Sequence, residues 1–422
     1  MPSFIDDYLL YNIGNEAHEK FHLWAALSVL SSVVSRKVWT RKSDPRKPEL
    51  GNYMWVKPNL YICLVGEQGN RKTTARDVAY ELYKYICPDA VVTAERMSPE
   101  AITKFMAEDE NLRYYEDPVT KERVEYRPLS CFCTELKYFL GQNPLGMMEF
   151  LTAIYDREFF DVIMKNAGTD VLLKPYVTML ACETPEWIKD KLKLRIISGG
   201  IARRIIFVYE TEEVKRIAFP SVELESAKAM ARCREHLRLV DKCAGEFKWT
   251  KEAADFFEHW YVDQKLPEDP TLRGFHRSMD TQAIKIAMLL ALSRYPIEMV
   301  ITPENLAEAI AMLSALLPNM LKLFSGGGLN KFADPGVRIC DFVERAGGYL
   351  PQEKLKSLIW SDLGGRDFND VLNHYLETQQ LFRLVDEKFK LPDGTPRPRS
   401  LICNAEGRMK LKVVKTEKKW ME

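Results

Sequence analysis

Apolar positions along this 422-residue chain follow two spacings, and the switch between them marks out its parts. Near the start, Phe21, Trp24, Leu27, Leu30 and Val34 recur every three or four residues, the repeat of a helix with one apolar stripe. From Asn59 the pattern changes to short apolar runs: LYICLVG (60–66), AVVTA (90–94), LSCFCT (129–134), YVTMLAC (176–182) and RIIFVY (204–209). Such runs, alternating with helical stretches, predict a parallel sheet with crossover helices. The polar stretch 109–128, broken by Asp117-Pro118, reads as an insertion or hairpin projecting from that sheet.

After Pro220 the strand signal fades and residues 224–325 read as helices, a lid or bundle. Ser325-Gly-Gly-Gly is the clearest linker. Residues 336–392 then predict three helices and two short apolar runs, LFRLV and KFKL, the layout of a winged helix-turn-helix. The expected order is therefore an N-terminal helical and basic segment (1–50), an α/β core (51–220), a helical lid (221–325), a winged helix (335–395) and a basic tail (396–422). No internal repeat is present.

Composition adds limits. An apolar content of 46% with 28% charged residues is that of a folded chain. The 60 basic and 60 acidic residues cancel, so the net charge gives no pull toward nucleic acid or membrane and local charge must be read instead. The cluster Arg36, Lys37, Arg41, Lys42, Arg46 and Lys47 reads either as a solvated connector or as a contact with DNA or a neighbouring subunit. The tail carries Arg397, Arg399, Arg408, Lys410, Lys412, Lys415, Lys418 and Lys419. The nine cysteines form no Cys-x-x-Cys pair, so a metal cluster is not expected and a reducing, intracellular setting is. The start lacks a basic segment before an apolar run, and the apolar stretches near Leu23–Val34 and Ala283–Leu292 are short for a bilayer, so the expectation is a cytosolic protein without a membrane partner.

The sharpest chemical signal is GEQGNRKT, Gly66 to Thr73, which matches GxxxxGK[ST] except that Arg71 stands at the second glycine. A phosphate cradle needs inward backbone N–H groups at a helix N-terminus, a lysine for the β/γ oxygens and a hydroxyl for magnesium. Gly66 closes the strand, Gly69 permits the turn, Asn70 and Arg71 complete the loop, Lys72 and Thr73 take the charge and metal positions, and Thr74 begins the helix. The alternative for this segment is a basic surface turn.

An ATPase also needs an acid at a neighbouring strand tip. LSCFCTEL supplies Glu135, as base and metal-side acid, with Thr134 where a metal-holding Asp is expected. The next strand ends in Glu183-Thr184-Pro185, and Thr184 is the candidate γ-phosphate sensor. Arg203 and Arg204 stand between a Gly-Gly turn and a strand, a place from which an arginine reaches a neighbouring subunit's nucleotide. Either is equally read as a salt-bridge partner. Arg273 and Arg277, before an amphipathic helix, are candidates for a second positive charge on the nucleotide.

These residues resemble a family: P-loop AAA+ ATPases of phages, plasmids and mobile elements, similar to minichromosome-maintenance-like replicative helicases. The resemblance rests on EAHEKFHLWAALSVLSSVVSRKVW, NLYICLVGEQGNRKTTA, CTELKYFL, MLACETPEWI and GGIARRIIFVYE, and covers residues 10–325. It implies an α/β P-loop NTPase core of AAA+/ASCE kind with helical lid, and ATP and Mg2+ as cofactors. It also implies Lys72 and Thr73 on phosphate and metal, Glu135 as catalytic acid, Thr184 as sensor and Arg204 as finger, with Arg203 its rival. The expected activity is an ATP-dependent DNA helicase or translocase in replication, working as a ring, a hexamer, in a bacterial host cytoplasm with possible replisome partners. Two rivals stand beside it: a replication initiator or helicase loader without unwinding activity, and a non-hydrolysing nucleotide- and DNA-binding protein.

Overall fold

Every side chain from Tyr61 to Val65 is buried, and this apolar run is an inner strand of the main sheet, paired on both sides. The computed structural model describes residues 2–44, 46–47, 54–164, 168–189, 201, 203–211, 215–219, 221, 223–267, 269–325, 339–340, 342–344, 346–359, 365–377, 381–384 and 400–405. They form two compact units, 1–324 and 325–422.

The first unit is mixed α/β. It opens with helices α1 (Phe4–Tyr11) and α2 (Glu19–Val34), then strands β1 (Val38–Arg41), β2 (Trp55–Val56) and β3 (Tyr61–Val65) and helix α3 (Lys72–Ile86). Strands β4 (Arg113–Glu116), β5 (Arg123–Cys133), β6 (Phe159–Met164), β7 (Gly168–Leu173), β8 (Pro175–Glu183) and β9 (Ile205–Tyr209) follow. The five-stranded sheet has the order β4-β5-β8-β3-β9. Strands β5, β8, β3 and β9 are parallel, with Tyr61 opposite Met179 on one side and Ile205 on the other. Strands β3, β8 and β9 are apolar almost throughout because a parallel sheet is covered on both faces.

After β3 the chain crosses to the β5 side, and after β8 it crosses to the β9 side. The carboxyl ends of the adjacent strands β3 and β8 therefore lead apart, which in an open parallel sheet opens a crevice between them. Helix α2 covers one face and is buried on nearly all sides. Two of its serines bond to the sheet: Ser32 and Thr178 share a hydrogen bond of 2.9 Å, and the Tyr176 hydroxyl donates to the Ser31 carbonyl at 2.9 Å. The N-terminal helical and basic segment thus supplies a layer of this unit.

Three local features differ from the expected pattern. AVVTA contributes only an isolated parallel bridge, Val92 to Ser130, held by hydrogen bonds of Ser130 to Val91 and Thr93. The polar stretch 109–128 does form a hairpin, and its second arm runs on as the buried half of β5. An additional antiparallel hairpin, β6–β7, precedes β8.

The basic stretch 36–47 is met by acids of the same unit. Arg36 and Lys57 share Glu158, and Lys42 reaches Asp280. Lys37 pairs with Asp241 at 2.6 Å, Arg41 with Glu246 at 2.7 Å, and Arg46 with Asp44, Asp255 and Glu258 at 2.7, 2.6 and 2.7 Å. The stretch ties β1 and its flanks to the helical part.

In that part the helices Leu224–Val240, Lys251–Asp263, Met279–Ser293 and Pro303–Ser325 follow the expected run. Pro303–Phe324 is long and apolar enough to cross a bilayer by length and composition alone. Its Leu306, Ala309, Leu313, Leu316, Met320 and Leu323 form one buried stripe, the signature of a helix packed on a protein core.

In the second unit the helices Gln352–Ile359 and Gly365–Glu377 pack over Ile339, Val343, Leu350 and Ile402. Its antiparallel sheet takes Tyr349–Pro351, Leu401–Cys403 and Phe382–Leu384 in that order. The strand Leu401–Cys403 falls in the stretch expected as tail. KFKL and the basic tail residues named above lie outside the described residues.

Candidate functional site

The loop after β3 leaves at the crevice. The Gly66 N–H donates to the Glu183 carbonyl at 3.3 Å, tying the loop's start to the end of β8. A Cβ on Gly66 would come within 2.8 Å of Asn70 Nδ2 and 3.4 Å of the Glu210 carbonyl, so a larger residue would displace the Asn70 amide from its place against the loop. Gly69 has φ +86°, in the region glycine enters without penalty. Asn70 donates its N–H to the Glu67 carbonyl at 3.2 Å and its side-chain amide to the Glu210 carbonyl at 3.3 Å. The loop is therefore held between the ends of β8 and β9.

Arg71, at the place of the second glycine, adopts the left-handed conformation, φ 53° and ψ 22°. That explains why glycine suits this position and how an arginine replaces it. Its side chain turns outward to Glu16 at 2.6 Å, and the other Glu16 oxygen accepts the Ile217 N–H at 2.9 Å.

Helix α3 starts at Lys72. The N–H groups of Thr74 and Ala75 turn back to the Arg71 carbonyl, at 3.1 and 3.4 Å. A helix cannot satisfy its own first N–H groups, which makes its N-terminus favourable to anions. Lys72 is buried, and its ammonium donates to the carbonyls of Gly66 at 2.6 Å and Glu67 at 2.8 Å. Burial pulls its pKa below the ordinary lysine value, against the attraction of Glu183 and Glu67. Thr73 is exposed beside it.

At the end of β8, Glu183 is buried and its carboxylate spans two strand ends. One oxygen accepts the Thr184 N–H at 2.8 Å and the other accepts the Lys137 N–H at 2.8 Å, just past β5. Burial raises its pKa and those two N–H groups oppose the rise. Thr184 stands just before the turn Pro185–Trp187, its hydroxyl 3.5 Å from Glu183. Glu135, at the tip of β5, pairs with Lys137 at 2.6 Å. That hydrogen bond, before all else, raises the Lys137 pKa. Because β8 separates β5 from β3, Glu135 stands two strand spacings, about 10 Å, from the loop strand.

Residues that the chain pattern did not single out complete this end. Buried Arg76, one turn into α3, donates to the Phe132 carbonyl, to Asp77 at 2.6 Å and to Glu95 at 2.9 Å. The second Glu95 oxygen accepts the Thr134 hydroxyl at 3.0 Å and its N–H at 3.3 Å. Glu95 follows only an isolated bridge, so no periodic run marked it. Arg76, by contrast, sat in view on the helix after the loop.

Of the candidate arginines, Arg273 donates to the Pro267 carbonyl at 3.1 Å, and Arg203, Arg204 and Arg277 lie away from the loop. Arg203 and Arg204 precede β9, at the amino end of the sheet, whereas the loop follows the carboxyl end of β3. Five residues of strand separate the two levels, about 16 Å, beyond an arginine's reach. Arg203 is exposed. Arg204 lies over the Tyr155 ring at 5.5 Å, with its pKa lowered first by burial and then by Arg203. Arg277 is at the same end, because the next residue, Ser278, donates its hydroxyl to the Arg203 carbonyl at 2.7 Å. The sheet thus gathers Gly66–Thr74, Glu135 and Thr184 at one end and Arg203, Arg204 and Arg277 at the other.

No protein-family model matches the chain, and no curated protein matches it.

Proposed function

We propose that the chain is an ATP-hydrolysing P-loop motor of AAA+ kind that acts on DNA as a ring of identical subunits, resembling minichromosome-maintenance-like helicases. The observation that carries this reading is the loop 66–73: a lysine held inside a backbone turn at a helix N-terminus, at the switch point of a parallel sheet. When bound there, ATP supplies the transferable phosphoryl group and Mg2+ neutralises its charge.

The chain's own residues divide the work. Lys72 leaves the Gly66 and Glu67 carbonyls for phosphate oxygens, and Thr73 offers its hydroxyl to the metal. Glu135 takes a proton from the attacking water once its carboxylate is released from Lys137. Thr184, positioned by Glu183, holds the end of the phosphate chain. Arg203, exposed and out of reach of its own loop, serves the nucleotide of the next subunit, with Arg277 beside it and Arg204 as the packed partner. That separation supports the reading of an assembly of copies.

For DNA, support comes from the helix and strand order of the second unit, which suits a winged helix, with exposed Arg383 on one strand. The deciding measurement is steady-state ATP hydrolysis with and without single-stranded DNA, beside Lys72→Ala. DNA-stimulated turnover that the substitution abolishes is expected. Nucleotide binding without turnover would instead favour the non-hydrolysing reading. Turnover with no strand release on a forked duplex would favour an initiator or loader.

A further inference from the structure

Magnesium at a phosphate loop is held by the loop hydroxyl and by an acid at the tip of a nearby strand, usually through water. This chain has Thr134 at that tip. On the ATP-site reading above, we propose that Glu95, from outside the β5 strand, supplies the carboxylate that Thr134 lacks.

The geometry runs in one connected path. Thr73 and Arg76 are three residues apart on α3, so their side chains leave the same helix face, about 5–6 Å apart at Cβ. Arg76 is buried and holds one Glu95 oxygen at 2.9 Å. The second oxygen is held at 3.0 Å by the Thr134 hydroxyl, which itself stands where the acid is expected. Glu95 is thereby clamped from the loop helix on one side and from the strand tip on the other. About half of the Glu95 side chain is open to solvent, so its carboxylate is accessible to a metal-bound water. Magnesium asks little more of a protein than one or two carboxylates, since phosphates and waters complete its octahedron. Asp77 is the rival carboxylate on the same helix; it contacts Arg76 at 2.6 Å and has no bond to the strand tip.

The test is the magnesium dependence of binding of a fluorescent ATP analogue to the full chain, which requires no turnover. Glu95→Gln keeps a side chain able to bond Thr134 but removes the charge. We expect the Mg2+ concentration at half-effect to rise about tenfold, with metal-free binding unchanged. Adding Thr134→Asp to Glu95→Gln returns an acid to the strand tip and should restore the wild-type dependence to within about twofold, while Asp77→Asn alone leaves it unaltered. An unchanged magnesium dependence in Glu95→Gln overturns the assignment, as does equal weakening of metal-free and metal-bound nucleotide, which marks Glu95 as only a brace for Arg76. Failure of the wild-type chain to bind the analogue, or binding by Lys72→Ala equal to wild type, overturns the ATP-site reading and this assignment with it. Loss of this assignment alone leaves Lys72-dependent binding intact.

Discussion

Arg71 shows how one residue carries opposing demands. Its left-handed backbone costs on the order of 1 kcal/mol in any residue but glycine, while its half-exposed pair with Glu16 contributes less than about 1 kcal/mol. Arg71→Gly relieves the first and forfeits the second, so thermal unfolding should shift by no more than a few degrees. Arg71→Ala forfeits the pair and keeps the strain, so it should unfold below Arg71→Gly; the reverse order would count against the backbone account. His22 makes a pH prediction. Burial, assisted by His18, lowers its pKa from 6.5 to about 4. The unfolded chain therefore takes up this proton first, and stability from neutral His22 is full above pH 6.5 and is lost as pH falls toward 4. The span corresponds to about 3 kcal/mol. His22→Phe, which cannot protonate, should flatten the denaturant midpoint against pH between 6.5 and 4; an equally steep fall would remove His22 as the cause. None of this could be read from the chain pattern, because a histidine on an apolar helix face looks the same whether protonated or buried neutral.

Among elements, the four parallel strands were legible because each carries a short apolar run, and burial on both faces enforces that composition. The helical part was legible from its periodicity. The pairing of elements was not. Helix Met279–Ser293 docks on the amino end of β3 through fully buried Lys285, which donates to Asn59 Oδ1 at 2.7 Å and Asp156 at 3.3 Å and lies 3.8 Å from the Tyr155 ring centre. Burial lowers its pKa to about 8. In sequence this lysine is merely the polar interruption in TQAIKIAMLLAL. Lys285→Ala deprives the Asn59 Oδ1 of its ammonium donor beside a cavity and should cost about 3 kcal/mol, with Lys285→Met costing less because it fills the space. Chemical denaturation checks the pair, and equal losses would show that volume plays no part. The β6–β7 hairpin escaped notice because its runs, FFDVIM and GTDVLL, keep no strict alternation.

At the scale of the whole molecule, the opposite ends of the sheet hold complementary parts of one proposed machine. If Arg203 serves a neighbour, Arg203→Ala and Lys72→Ala should each abolish turnover alone. Mixed in equal amounts, they should recover about a quarter of wild-type turnover, since a quarter of interfaces then join an intact loop to an intact arginine. Recovery of none would confine Arg203 to a structural role. By itself the sequence determined the apolar strands, the helical stretches and the loop with its lysine and hydroxyl, since these depend on residues adjacent along the chain. Only the tertiary structure decided that the basic cluster is matched by acids of its own unit, that Glu183 joins two strand ends, and that Glu95 stands beside Thr134. It also decided that the arginines stand a strand's length from the loop. Those are contacts between residues 39 to more than 200 positions apart, and a chain pattern records spacing along the backbone, not which distant side chains the crossovers bring together.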